Sequence, residues 1–180
     1  MPFYNSEVEV LIEPQRLATR VREMGAQLTR DYRGKELTIV SILKGSVFFA
    51  SDLVRSIDLP LTVEFLGVSS YLGTETTGEV RITSDMTKPM AGKDLLIVED
   101  IIDTGLTMKF IMENLQARHP ASLKVCALLE KPARARTHIQ IDYRGFTIDD
   151  VFVVGYGLDY LERFRNLPFI GTLKSGGPAG

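Results

Sequence analysis

Cysteine occurs once in this chain of 180 residues, at Cys126, and histidine twice, at His119 and His138. A single thiol forms no internal disulfide, and within the apolar run 124–129 it reads as a small buried hydrophobe rather than a nucleophile. Two histidines far apart, with one cysteine, offer no zinc-ligand spacing and read as surface residues. Long apolar runs are missing too. No stretch reaches the roughly 18 residues expected of a membrane span, and the opening Met1-Pro2-Phe3-Tyr4-Asn5-Ser6-Glu7 lacks the basic-then-apolar order of a secretory signal. Charge of one sign is not in excess: 21 Lys+Arg against 23 Asp+Glu leave a formal net charge of -2, which supplies no global field to hold nucleic acid or an anionic membrane. These absences point to a cytoplasmic protein with a small-molecule partner. No internal repeat, heptad pattern or domain linker interrupts residues 1–180, which read as one domain.

What is present alternates between two periodicities. After Glu13-Pro14, the apolar residues Leu17, Val21, Met24 and Leu28 recur at helical spacing, and this helix is expected to end before Gly34. The run Leu37-Thr38-Ile39-Val40-Ser41-Ile42-Leu43 suits a strand covered on both faces. It stops at Lys44-Gly45-Ser46, and residues 47–57 then read as a helix and 61–68 as a strand, the crossover unit of a parallel sheet. Further strands are expected at 95–98, 123–129, 146–148, 151–154 and 169–173, with a helix whose inner face carries Met108, Ile111, Met112 and Leu115. The polar, glycine-flanked stretch 70–81 is expected to be an exposed, mobile loop or long hairpin tip, and 175–180 a disordered tail. The fold class is therefore α/β, with a central, mostly parallel sheet flanked by helices.

Residues 95–107 carry the chemistry: Leu-Leu-Ile-Val-Glu-Asp-Ile-Ile-Asp-Thr-Gly-Leu-Thr. An apolar strand leads to two adjacent acids, a short turn and a helix start, placing polar groups at the carboxyl end of a strand, where α/β proteins bind ligands. The turn Asp103-Thr104-Gly105-Leu106-Thr107 offers backbone amides, two hydroxyls and a glycine that permits close approach, as a phosphate cradle requires. Glu99 and Asp100 present acceptor oxygens suited to the paired hydroxyls of a ribose. The competing reading of Asp103 is an N-cap for the helix that follows, and acids at strand ends are commonly just solvated.

The unbroken stretch resembles the phosphoribosyl diphosphate-binding signature of the type I phosphoribosyltransferases. Leu43-Lys44-Gly45-Ser46, followed by Phe48, Phe49 and Asp52, is similar to the diphosphate loop of the hypoxanthine-guanine branch of that family, in which the peptide bond before the equivalent of Lys44 can be cis. Ser69-Ser70-Tyr71 resembles its catalytic flap, and Phe152-Val153-Val154-Gly155-Tyr156-Gly157-Leu158-Asp159-Tyr160, then Phe164-Arg165, its purine- and metal-binding segment. With Lys131, the likeness spans about 9–173 and is of the bacterial kind.

The resemblance implies a type I phosphoribosyltransferase fold with a small hood from the chain termini, and transfer of a phosphoribosyl group to a 6-oxopurine. It implies Mg²⁺ as cofactor, held by Asp159 with Glu99 and Asp100 near the ribose, and diphosphate contacts from Lys44, Gly45 and Arg165. Asp103 would exchange the N7 proton, and residues 103–107 would bind the 5-phosphate. Lys131, which only donates, would favour the 6-oxo acceptor of hypoxanthine or guanine over the 6-amino group of adenine. Phe152 would stack on the base and the Val153 backbone bond its edge, while Ser70 and Tyr71 close over the diphosphate. It implies a homodimer or homotetramer as well.

Three alternatives stand beside this. A non-catalytic regulator would lack the aspartate or the lysine, or carry an added basic domain, whereas Asp103 and Lys131 are both present. A dinucleotide-binding redox module would need a third glycine and a long helix after Gly155-Tyr156-Gly157. A transferase of the same fold acting on uracil, orotate or adenine is the closest competitor. Within the motif, Leu106 puts an apolar side chain where some relatives carry a polar one, and residues 132–138 read as a solvated basic loop without chemistry.

Overall fold

The computed structural model describes residues 7–70 and 80–174; the expected tail at 175–180, most of the expected flap with Tyr71, and the Ser70 side chain lie outside the described residues. The elements in chain order are β1 (Val8–Ile12), α1 (Pro14–Asp31), β2 (Leu37–Leu43), α2 (Val47–Arg55), β3 (Leu61–Ser70), β4 (Val80–Ser84), β5 (Asp94–Ile102), α3 (Leu106–Gln116), β6 (Ser122–Glu130), β7 (Tyr143–Thr147), β8 (Val153–Val154) and β9 (Ile170–Leu173).

Six strands form one sheet in the order β4-β3-β2-β5-β6-β7, with every pairing parallel except β3 with β4. Strand β2 has six consecutive buried residues, because helices cover both faces of the sheet and an apolar run needs no alternation there. Helix α1 starts at Pro14, whose fixed φ suits the first helical turn, and buries Leu17, Val21, Met24 and Leu28 in the expected stripe. With Phe49 and Leu53 of α2 it packs over Leu37, Ile39, Leu96, Val98 and Leu128 on one face. On the other face Met108, Ile111 and Leu115 of α3 meet Val40, Ile42, Leu95, Ile97 and Val125. Cys126 is buried in β6, and both histidines are exposed.

The connection β2-α2-β3 runs outward in one direction and β5-α3-β6 in the other, so the winding reverses between β2 and β5. At such a reversal the two adjacent loops splay apart above the carboxyl ends of the strands and leave a crevice. A second sheet of three antiparallel strands, β1-β9-β8, joins the two ends of the chain over a small cluster of Val8, Val154, Leu167 and Phe169 and forms the hood.

Two strands depart from expectation. Residues 80–81 of the expected loop belong to β4 and Ser70 to β3, while 71–79 lie outside the described residues. Strand β1 is additional, its pairing partner lying at the far end of the sequence.

Candidate active site

The β2 ladder on β5 ends at Ser41 opposite Val98, whereas the β6 ladder continues to Ile102. Glu99 and Asp100 are thus held in a strand that outlasts its inner neighbour, and they stand beside the turn that ends β2. This differs from the expected turn directly after the acids: backbone pairing with β6 is indifferent to the side chains and carries β5 on through Ile102. The β2 turn is fixed by Ser46, buried, whose hydroxyl donates to the Ile42 carbonyl at 2.7 Å and lies 2.8 Å from the Ser41 hydroxyl. The Leu43–Lys44 peptide bond is cis.

These elements enclose a cleft of about 300 Å³. Its walls are Leu43, Lys44 and Gly45 from the β2 turn, residues 99–103 from β5 and beyond, Thr104, Gly105 and Thr107 from the turn into α3, and Asp159 and Arg165 from the hood. Most of the candidate phosphate, ribose and diphosphate residues therefore face one space. Gly105 occupies the N-cap position of α3 with φ 80°, a conformation that favours glycine, so Asp103 is not the N-cap. The first amides of α3, which have no carbonyl partner within the helix, follow directly. Leu106 is 45% exposed and points outside the cleft wall.

Charge in the cleft is unevenly satisfied. Enclosure pushes Glu99 well above the usual carboxylate range, and adjacency to Asp100 adds to it. Asp100 is also raised by enclosure, against the opposing pull of its contact with Glu99 and the positive charge of Arg165. Arg165 donates to the Gly157 carbonyl at 2.7 Å and pairs with Asp159 at 2.8 Å. Its Nε and the Oδ1 of Asp103 are buried and make no hydrogen bond among the described residues. The Arg165 Nε is thus a donor without an acceptor in the cleft wall, and Asp103 Oδ1 is met only by the charge of Arg134 at 3.0 Å. Lys44 reaches Glu162 at 3.0 Å, and that contact holds Glu162 below the usual carboxylate range.

The candidate base-binding residues do not line this cleft. Lys131, immediately after β6, is 5% exposed rather than solvated, and its amide donates to the Ile102 carbonyl at 3.0 Å. Phe152 packs edge-on against Tyr160, ring centres 5.7 Å apart, and Val153 is buried in β8. Residues 132–138 are mostly exposed, as expected of a solvated loop, but they are anchored at the cleft: Arg136 and Thr137 donate their amides to the Thr104 carbonyl at 3.0 and 3.2 Å, and Arg134 lies 3.0 Å from Asp103 and 3.6 Å from Asp150. Neither Arg134 nor Asp150 stands out in the sequence. Only the fold brings them to the acid, and basic loops carry no local mark of such convergence.

A doubly covered parallel sheet with a phosphate-type turn and paired acids at its winding reversal defines a sugar-phosphate-binding α/β protein. Comparison with known proteins narrows this. A family model described as a phosphoribosyl transferase domain matches residues 9–161. A hypoxanthine-guanine phosphoribosyltransferase of Staphylococcus aureus strain Mu50 is 52% identical over 172 residues, 95% of this chain and 96% of that protein. One of Staphylococcus epidermidis strain RP62A is 50% identical over 167 residues, covering 92% and 93%. Among solved structures, a hypoxanthine phosphoribosyltransferase from Staphylococcus aureus superposes with TM-score 0.91 at 51% identity, covering 97% of this chain and 95% of that one. A hypoxanthine-guanine phosphoribosyltransferase from Bacillus anthracis gives TM-score 0.88 at 41% identity, covering 94% and 99%. The chain belongs to the phosphoribosyltransferase family, and its fold is that of the type I members.

Proposed function

We propose that this enzyme serves purine salvage, transferring the 5-phosphoribosyl group of phosphoribosyl diphosphate to hypoxanthine or guanine and releasing diphosphate with the nucleoside monophosphate. The convergence in one cleft of the turn at 103–107, the pair Glu99 and Asp100, and the cation Arg165 with an unpaired Nε is the observation that carries this reading. The set of groups suits a pentose with phosphoryl groups at both ends: amides of the turn for the 5-phosphate, carboxylates for the ribose hydroxyls, and Lys44, Gly45 and Arg165 for the diphosphate.

The base nitrogen attacks the anomeric carbon as diphosphate leaves, through a transition state of oxocarbenium character. Asp103, a residue of the cleft wall whose buried Oδ1 accepts no hydrogen bond among the described residues, takes the role of exchanging the purine N7 proton. Lys131 donates to the 6-oxo group, Phe152 covers the base, and the Val153 backbone reads its edge. Ser70 and Tyr71, with the flap, exclude water. Mg²⁺ fits this donor set. Two adjacent carboxylates whose charge is disfavoured by enclosure, that of Glu99 also by Asp100, are relieved by a divalent cation, and one that keeps waters and substrate oxygens needs no closed protein cage. Glu99 and Asp100 on one side, or Asp159 on the other, would hold it, since the three do not gather into one metal-binding cluster among the described residues, and the ion would supply charge neutralisation to the departing diphosphate. A cytoplasmic setting and a homodimer or homotetramer complete the proposal, the latter read out by light scattering.

Purified protein incubated with Mg²⁺, phosphoribosyl diphosphate and one nucleobase at a time is expected to release diphosphate with hypoxanthine and guanine and not with adenine, uracil or orotate. Release with one of the latter group alone would refute the substrate assignment.

A further inference from the structure

Four side chains of alternating charge run from the buried lysine to the cleft. Lys131 Nζ lies 3.9 Å from Asp150 Oδ1, the same oxygen lies 3.6 Å from Arg134 Nη1, and Arg134 Nε lies 3.0 Å from Asp103 Oδ1. Asp150 therefore faces two cations with one oxygen, and Arg134 faces two acids with two different nitrogens of one planar group. A guanidinium used in this way has little rotational freedom, since turning away from one acid moves it off the other. The backbone beneath it is also anchored. Lys131 donates to Ile102, Arg134 to the Lys131 carbonyl at 3.2 Å, and Arg136 and Thr137 to Thr104, which ties the segment to the start of the phosphate turn on either side of Asp103.

The contact between Arg134 and Asp103 has a particular form. It is close enough for an ion pair, yet Oδ1 accepts no hydrogen bond among the described residues. Arg134 thus holds the carboxylate by charge without using up the acceptor position that a substrate proton would occupy. An arginine bonded in line to that oxygen would compete with the purine for it.

We propose that Arg134 is a positioning residue for Asp103, and that Asp150 sets the distance between Arg134 and Lys131, so that the group gripping the base and the group exchanging its proton are held in one register. This rests on the reading of Asp103 and Lys131 given above. The span suits the shape of the base, because a 6-oxopurine presents its oxygen and its N7 on the same edge and the ammonium and carboxylate that serve them need a fixed separation. Lys131 and Asp103 sit on the segments that follow two different strands, β6 and β5, and the Asp150–Arg134 bridge connects them through side chains.

Steady-state kinetics of Arg134→Ala and Asp150→Asn test this. Arg134→Ala is expected to lower kcat by roughly 10- to 100-fold, the scale of a small misplacement of a reacting group, with the KM for phosphoribosyl diphosphate near its parental value and part of kcat restored by added guanidinium ion. Asp150→Asn is expected to raise the KM for hypoxanthine and leave that for phosphoribosyl diphosphate unchanged. A parental kcat in Arg134→Ala would overturn the proposal, as would equal losses in kcat and in phosphoribosyl diphosphate affinity, which would make Arg134 a phosphate ligand. If Arg134→Ala does not fold by circular dichroism, Arg134→Lys, which keeps the charge but cannot span both acids, is expected to show the same split. Asp103→Asn serves as the reference. Combined with Arg134→Ala it should lose little beyond its own defect, while full activity of Asp103→Asn alone would overturn the underlying assignment together with this one.

Discussion

Gly45 and Asp100 are in direct apposition: a β-carbon built on Gly45 would lie inside the van der Waals radius of the Asp100 carboxylate. The β2 turn can pass this close to the acid only because it carries no side chain there. Gly157 of the hood closes from the other side, its α-carbon facing the Gly45 carbonyl in the same way, at φ 106°. Gly45→Ala must therefore displace either the turn or the carboxylate. We expect a folded protein with phosphoribosyl diphosphate binding weakened at least about tenfold, the effect of an interaction change near 1.4 kcal/mol. Calorimetric titration with Mg²⁺ present checks this, and parental affinity would show that the cleft adjusts freely.

Glu99 illustrates a conflict between stability and function. Its carboxyl is raised in the folded protein, chiefly by enclosure and then by Asp100, so the folded state holds that proton more tightly than the unfolded chain does. The contribution to stability is complete below the unfolded value and is lost as pH rises through the folded one. At neutral pH without divalent cation the pair opposes folding. Glu99→Gln is expected to raise Tm by roughly 2–4 °C, the shift that 1 kcal/mol produces in a domain of this size, while weakening phosphoribosyl diphosphate binding. The gain should shrink toward pH about 4, where the carboxyl is protonated anyway. Scanning calorimetry in chelator across that range decides it; a lower Tm at every pH would contradict the assignment.

How much of the molecule is legible in its sequence follows from where each signal is stored. Strand β2 is readable to the residue because it is covered on both faces, and continuous apolarity is a local property. The candidate phosphate and ribose residues are readable because they are contiguous in 95–107. In β1 only Val8 and Ile12 are buried, with three exposed residues between, so no alternation marks it, and its stability comes from a partner more than a hundred residues away. Val80-Arg81-Ile82 in β4 does alternate, but beside a polar stretch that dominates the reading. Arg134 and Asp150 are illegible for a different reason. A charge pair between segments separated in sequence has no periodicity, and surface loops rich in arginine look alike whether or not one of them faces an acid.

The proposed function makes base choice depend on a buried ammonium. Lys131 is 5% exposed, and its Nζ lies 3.9 Å from Asp150, an opposite charge that offsets the cost of enclosure. Replacing it with glutamine puts an amide there that both donates and accepts, so the polarity rule that favours a 6-oxo group is relaxed. Lys131→Gln is expected to reduce kcat/KM for hypoxanthine and to narrow its margin over adenine by at least about tenfold, out of the roughly 10⁴-fold that matched hydrogen-bonding sites achieve. Competition assays with both bases measure the ratio directly. An unchanged ratio would remove Lys131 from specificity.

A tyrosine hydroxyl clasps the hood to the helix behind the β2 turn. Tyr156, at φ 52° and buried, donates to Asp52 of α2 at 2.6 Å, and the adjoining Gly157 lies over the Gly45 carbonyl. Burial and then the Asp52 carboxylate push the phenol above its ordinary range, so it stays protonated when the unfolded chain would ionise. Asp52 also pairs with Arg55 and is partly exposed, so removing the hydroxyl does not strand a buried acid. Tyr156→Phe should therefore cost only about 1.5 kcal/mol in urea unfolding, at the lower end for a bond to a charged group. That difference should hold across neutral pH and fade above pH about 10, where only the unfolded tyrosine loses its proton and the parent loses its advantage. Because the clasp holds Gly157 over the β2 turn, the same variant should raise the KM for phosphoribosyl diphosphate more than it lowers kcat. A stability loss without any change in KM would confine the clasp to folding.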